Sequence, residues 1–216
     1  MKIPEIGTVS TSSVDKLSKP EEKSVNLINY MDVFGSINKK ITSDIDFMKV
    51  TARETQLIAN QVYIGDILFT PSSETPNDIG ISAVVFEKLP DTLYSYHLVR
   101  LKFMEEFNLN YKCYMFNSPD VLRQFERLSQ GLTRYTISLK AFNEIQVLVP
   151  PENEQQKIAE ILSTVDETIE KTAAIIEETR QLKKGLMQKL FTEGIGHSRY
   201  KNTKYGRIPE EWEILL

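Results

Sequence analysis

Side chains able to do chemistry are few in this chain of 216 residues, and their spacing does not suit them to it. His97 and His197 are the only histidines, neither has a second ligand at helical spacing, and no HExxH is present, so a zinc site is not expected. A nuclease built on two carboxylates and a lysine needs Asp followed by Glu-x-Lys. Asp120 is followed by Glu126, but position 128 is Leu; Asp78 is followed by Glu87, but the lysine arrives one residue early, at Lys88. Asn117-Ser118-Pro119-Asp120 has the outline of an amino-methyltransferase loop without its second proline or its stacking aromatic. There is no phosphate-cradling GxxxxGK[ST] and no GxGxxG. Cys113 stands alone in the run YKCYMF, which removes disulfides and cysteine-based metal sites and suits a reducing, cytoplasmic setting. The expectation is a protein without catalytic residues, metal or cofactor.

If the chain does no chemistry, its elements must hold a binding surface. The dominant element runs from Pro150 to about Leu190. Steps of four and three place Ile158, Leu162, Val165, Ile169, Thr172, Ile176, Thr179, Lys183, Leu186 and Leu190 on one stripe, seven of the ten apolar, which is a coiled-coil seam. Pro150 and Pro151 stop what precedes, Glu152 and Glu154 suit the positive end of the helix dipole, and Gly194 and Gly196 supply the stop. A helix of roughly 38 residues is about 57 Å long, more than one domain covers with its own core. Its charge is graded. Glu152, Glu154, Glu160, Asp166, Glu167 and Glu170 face one base, Lys157, in the first half; Lys171, Arg180, Lys183, Lys184 and Lys189 face Glu177 and Glu178 in the second. Two such helices laid antiparallel put acid opposite base at both ends, whereas dipole compensation alone also produces a gradient of this sign.

Residues 1–150 are expected to form a mixed domain of short strands. LINYMDVFGSI (27–37) has strand spacing with Asp32 and Gly35 near a turn; Thr51 and Glu54 have capping-box spacing, so TARETQLIAN opens a short helix. VYIGDILFTP looks like strand, turn, strand about Gly65-Asp66, and ISAVVFEKL suits a buried strand. LYSYHLVRLKF, YKCYMF and EIQVLVP add strand-like runs. Ser118-Pro119-Asp120 starts a helix carrying Val121, Leu122, Phe125 and Leu128 on one face, with Gly131 placed to end it. After the long helix comes a basic, glycine-bearing linker that closes on Trp212.

Composition sets the outer bounds. A hydrophobic content of 41% supports one sizeable core besides the helix, and a formal charge of −4 announces no nucleic acid, although a basic face can hide in a balanced sum. No apolar run reaches the ~18 residues of a membrane span, and the polar N-terminus is no signal peptide.

Residues 144–194 resemble the specificity subunits of Type I restriction-modification systems: a strand ending in a double proline, an E-Q-x-x-I-A-x-x-L helix opening (Glu154, Gln155, Ile158, Ala159, Leu162), a following Asp166, and a K-x-G-L-M-Q-x-L helix end from Lys183 to Leu190. YGRIPEEWEI (205–214) looks like the segment that opens each half of such subunits. GDILFT (65–70) and the G-x-T-x-x-x-I stretch (Gly131, Thr133, Ile137) look like landmarks of their recognition domains. The resemblance implies an α+β chain: a mixed α/β target-recognition domain at 1–150, a coiled-coil spacer helix at 151–193 pairing antiparallel with a second helix, and 194–216 as linker and start of a second-half segment. Full-length members look like two tandem copies of domain plus helix. This chain carries one, with its IPEEWE-like element at the C-terminus, as if a half-subunit were circularly permuted. Two chains are therefore expected to pair as a homodimer.

The resemblance further implies double-stranded DNA, methyltransferase subunits on the helical region and a nuclease-translocase subunit as partners, with methylation and cleavage in those chains. Lys39, Lys40 and Arg53 are candidates for phosphates, and Ser72, Ser73, Thr133, Arg134 and Tyr135 for bases or sugar. Arg134 and Tyr135 lead, because a planar donor and an aromatic are costly to expose in a loop without use. The competing reading is a structural dimerisation module, or a silent specificity cassette, whose first domain reads no DNA.

Overall fold

A computed structural model describes residues 1–214, which divide into two compact units, one of Met1–Ser163 and one that begins at Thr164. In the first unit the frame is a five-stranded sheet ordered β1 (Gly7–Thr11), β9 (Val99–Phe103), β5 (Ile67–Phe69), β7 (Ser82–Val85) and β3 (Lys40–Ile41). Its pairs are antiparallel except β3 with β7, which is parallel. Side chains alternate across the pleat, and both faces are covered. Ile67, Phe69, Val84, Val99 and Leu101 enter one core, while Leu68, Ala83 and Val85 enter another. A second sheet, β4 (Met48–Ala52), β2 (Lys23–Ile28) and β8 (Thr92–Tyr94), closes a third cluster on Val25, Leu27, Val50 and Leu93.

The first core is aromatic at its centre. Phe69 meets Phe116 edge to face at 5.0 Å and Phe142 at 4.9 Å, with Phe125 at 5.9 Å. These rings come from the end of α4 (Leu109–Met115), from α5 (Pro119–Leu128) and from α6 (Leu139–Phe142). Two shorter helices, α2 (Tyr30–Phe34) and α3 (Glu54–Asn60), follow β2 and β4, and a single turn, α1 (Ile3–Ile6), precedes β1.

Several sequence expectations are corrected. LINYMDVF is the end of β2 followed by α2: the Asn29 amide donates to Asp32 Oδ2 at 2.7 Å, and this local cap starts a helix where alternation suggested a strand. YKCYMF is helical, in α4, started by Asn108, whose side chain accepts from the Tyr111 amide at 3.0 Å. EIQVLVP forms no strand beyond a bridge of Gln146 to Lys2. In VYIGDILF only Ile67–Phe69 is strand; Tyr63–Asp66 is a turn closed by the Asp66 carboxylate on the Tyr63 amide. Helix α3 is capped at Arg53 instead of Thr51, whose hydroxyl bonds the Lys19 amide and Glu22. Ser118 stands at the N-cap position of α5, but its hydroxyl donates to the Met115 carbonyl at 3.4 Å instead of capping the helix, and the helix ends at Leu128, before Gly131.

The long helix α7 spans Glu152–Glu193, as its prolines and glycines dictate. Its opening belongs to the first unit. Gln155 is buried, accepts from the Asn108 amide at 3.1 Å and donates to the Pro150 carbonyl at 2.9 Å; Ala159, one turn on, is buried in the aromatic core. These two residues account for the Q and A of the EQxxIAxxL opening. In the second unit, the expected linker is a hairpin of β11 (Tyr200–Thr203) and β12 (Gly206–Pro209), and Trp212 sits half-exposed with its ring edge-on to His197 at 6.2 Å.

Candidate nucleic-acid interface

A small antiparallel ribbon sets the candidate site. Strands β6 (Ser72–Ser73) and β10 (Tyr135–Thr136) pair Ser73 with Tyr135 and Ser72 with Thr136. Behind β10 the loop is pinched shut by reciprocal bonds of 2.8 Å between Gln130 and Thr136. Gly131 holds φ +146°, and a Cβ there would lie 2.0 Å from the Arg134 carbonyl oxygen, so this turn admits only glycine. Ile137 is buried beneath the ribbon and its amide donates to the Pro71 carbonyl at 3.0 Å. Gly131 and Ile137 thus shape the loop, which exposes Leu132, Thr133 and Arg134.

Arg134 leans on Ser72, its guanidinium donating to Oγ at 3.3 Å, at the wall of a cleft of about 350 Å³. Tyr30, Met31 and Phe34 of α2 form the opposite wall, and Glu74, Thr75 and Asp78 the rim. Tyr30 and Phe34 stack at 5.5 Å, while Met31 is 63% exposed. Burial raises the pKa of Tyr30, opposed by hydrogen bonding to Ser73 and Thr70, so at neutral pH it presents a phenol. Asp78 accepts from Thr75 Oγ1 at 2.5 Å. Burial and the charges of Lys16 and Arg134 push the His97 imidazole below its ordinary 6.5, which leaves it neutral at pH 7. The cleft therefore offers a forked cation, hydroxyls, two carboxylates and an exposed thioether. That is the set that distinguishes guanine, the amino group of cytosine and the methyl of thymine.

The expected contact residues separate. Ser72, Ser73 and Arg134 line the cleft and Thr133 adjoins it. Ser73, 7% exposed, accepts from the Thr75 amide at its hydroxyl, and the half-buried Tyr135 packs against the aromatic core. Lys39, Lys40 and Arg53 do not line it. Burial lowers the pKa of Lys39, Lys40 holds its ammonium 4.3 Å over the Phe86 ring, and Arg53 is exposed at the start of α3. Sequence reasoning missed Tyr30, Met31, Phe34, Glu74, Thr75 and Asp78. The available signal was Asn29 with Asp32, the capping pair that makes YMDVF a helix.

The seam of α7 is open. Ile158, Leu162, Val165, Ile169, Ile176, Leu186 and Leu190 are between 36% and 55% exposed, and Ile161, Ile175 and Leu182 widen the stripe. Among the described residues there is no cluster of metal-ligating side chains, and no helix is long and apolar enough to cross a membrane.

Comparison with known proteins matches residues 2–181 to the family profile described as "Type I restriction modification DNA specificity domain". A Methanocaldococcus jannaschii protein described as the MjaX type I restriction enzyme specificity subunit is 29% identical over 182 residues, covering 80% of this chain and 42% of that one. The type I restriction enzyme MjaVIII specificity subunit of the same organism is 36% identical over 104 residues, 47% of this chain and 24% of its own length. A crystal structure of a Type-I restriction-modification system S subunit from M. genitalium shares the fold, with a TM-score of 0.54 at 19% identity over 88% of this chain and 45% of that chain. This chain spans less than half the length of each.

Proposed function

From the membership of this chain in the Type I restriction-modification DNA specificity domain family, we propose that it is a non-catalytic reader of double-stranded DNA that recognises one half of a bipartite site. The reading rests on the cleft between Arg134 and α2, where donors, acceptors and an exposed apolar group converge on a small ribbon. Residues 1–150 are the target-recognition domain, 151–193 the spacer helix and 194–216 the segment that follows. Two copies pair antiparallel through α7, matching acidic to basic halves and covering the open seam, so the site is read with two-fold symmetry. Methyltransferase subunits dock on the helical region and a nuclease-translocase subunit joins them in the cytoplasm; methylation and cleavage belong to those chains.

Selection of duplexes from a randomised pool by the purified chain tests this. The expected outcome is a bipartite consensus with inverted half-sites, bound with an affinity that falls steeply with salt as counterions are released. The exposed seam also favours a second reading, a dimerisation module that reads no DNA. Recovery of a stable dimer with no enriched sequence would establish that reading instead.

A further inference from the structure

The second unit carries a charged surface that the recognition cleft does not use. Residues 197–208, HSRYKNTKYGRI, hold Arg199, Lys201, Lys204 and Arg207 without one carboxylate, in a chain of net charge −4. Strand register puts Tyr200 opposite Pro209 and Asn202 opposite Arg207, so Tyr200, Asn202 and Arg207 share a face and Lys201 lies on the other. The Arg207 guanidinium stands 4.4 Å over the Tyr200 ring, and that ring is fixed by its hydroxyl donating to the His197 carbonyl at 2.9 Å. At the turn Lys204 lies 4.9 Å over Tyr205, which is 67% exposed.

Acidic side chains are close in sequence, yet they leave these cations alone. Among the described residues the carboxylate contact in this segment is Glu211 with His197 Nδ1 at 3.6 Å, and Lys201 donates instead to the Glu210 carbonyl at 2.8 Å. Lys204 and Arg207 are thus ordered on aromatic rings and Lys201 on a backbone carbonyl, and no carboxylate pairs with any of them among the described residues. Within residues 197–209 Tyr205 is the strongly exposed apolar side chain, so the ribbon offers little for a protein partner to bury. Un-neutralised cations on both faces and at the turn of a narrow ribbon suit a polyanion that passes along it.

We propose that the β11–β12 hairpin is a sequence-independent clamp on the phosphate backbone of duplex DNA, placed outside the recognition domain. The proposal rests on the reading of the chain as a DNA binder. It adds a second contact surface that contributes affinity without contributing specificity.

The test compares the whole chain with the variant Arg199→Gln, Lys201→Gln, Lys204→Gln, Arg207→Gln on a random-sequence duplex and on the selected one, between about 50 and 200 mM salt. Each phosphate contact contributes about 0.9 to the slope of log affinity against log salt. The variant is expected to lose about 2 to 4 from that slope and at least about tenfold in affinity on both duplexes alike, with their ratio kept. The single change Lys204→Gln, at the turn and outside the paired residues, is expected to lose about 0.9 and guards against misfolding of the hairpin. Unchanged slopes in both variants would overturn the clamp while leaving the reader intact. A kept slope with a weakened dimer, seen by light scattering, would assign the ribbon to protein contact and likewise overturn it. A wild-type chain that binds neither duplex would overturn the clamp and the reader together.

Discussion

At the scale of single residues, the proposed reading head is built on a folding constraint. Gly131 closes the turn, Ser72 steadies the guanidinium, and Arg134 is left facing solvent with most of its donors free for a base edge. Arg134→Ala is expected to weaken binding to the selected duplex by about 1–3 kcal/mol, with little change on a shuffled one, as measured by fluorescence anisotropy. Equal loss on both would make Arg134 a phosphate contact. Another residue tests the interior. Lys112 is 7% exposed, donates to the Gly65 carbonyl at 3.2 Å and lies 4.2 Å from the Phe103 ring centre; burial holds its pKa below the ordinary 10.5. Between that lowered pKa and 10.5 the folded chain binds fewer protons than the unfolded chain, so stability climbs with pH through this window. Lys112→Met is expected to remove that climb in urea midpoints taken across the alkaline range. A climb of undiminished size would locate the titration elsewhere.

At the scale of elements, α7 is fastened by its first two turns. The Gln155 amide group bridges Pro150 and Asn108, and the latter contact also fixes the residue that caps α4. Gln155→Ala should therefore lower the unfolding free energy of the recognition domain by about 1–2 kcal/mol, because the half-buried Asn108 amide loses its acceptor; chemical denaturation followed by circular dichroism measures it. Elements with local punctuation were legible: α7 from its prolines and Gly194, α5 from Ser118-Pro119-Asp120, β7 from its β-branched run. Others depended on neighbours far along the chain. In α4 Tyr111, Lys112, Cys113 and Met115 are all buried, so the helix has no polar face to reveal a 3.6-residue period. The alternation of EIQVLVP reflects its contact with the N-terminus, where the Val147 and Met1 backbones exchange bonds of 2.9 Å, and sequence alone does not pair residues so distant. The cleft was half legible for the same reason. Its loop wall, with Ser72 and Arg134, carries polar residues that invite attention, whereas Tyr30, Met31 and Phe34 look like core until their helix is seen.

At the scale of the whole molecule, the proposed two-fold reading depends on a surface that one chain leaves open. Ile169 is 55% exposed in a stripe of aliphatic side chains. Ile169→Asp places a carboxylate in the proposed seam, and light scattering is expected to shift from twice the chain mass to 24.8 kDa, with loss of the bipartite preference and retention of half-site binding. A dimer that survives the change would move the contact off this stripe. The fastening of α7 has a further consequence for exchange of parts between relatives. Gln155 and Ala159 are helical by geometry but belong to the recognition domain by contact, so a graft joined at the prolines would separate the domain from its own anchor. A crossover beyond Ser163 carries the anchor with the domain. It must also conserve helical phase, since each inserted residue turns everything downstream by about 100° and advances it by about 1.5 Å. On the proposed reading, recombination that respects both conditions alters the word that is read and keeps the ruler that spaces it.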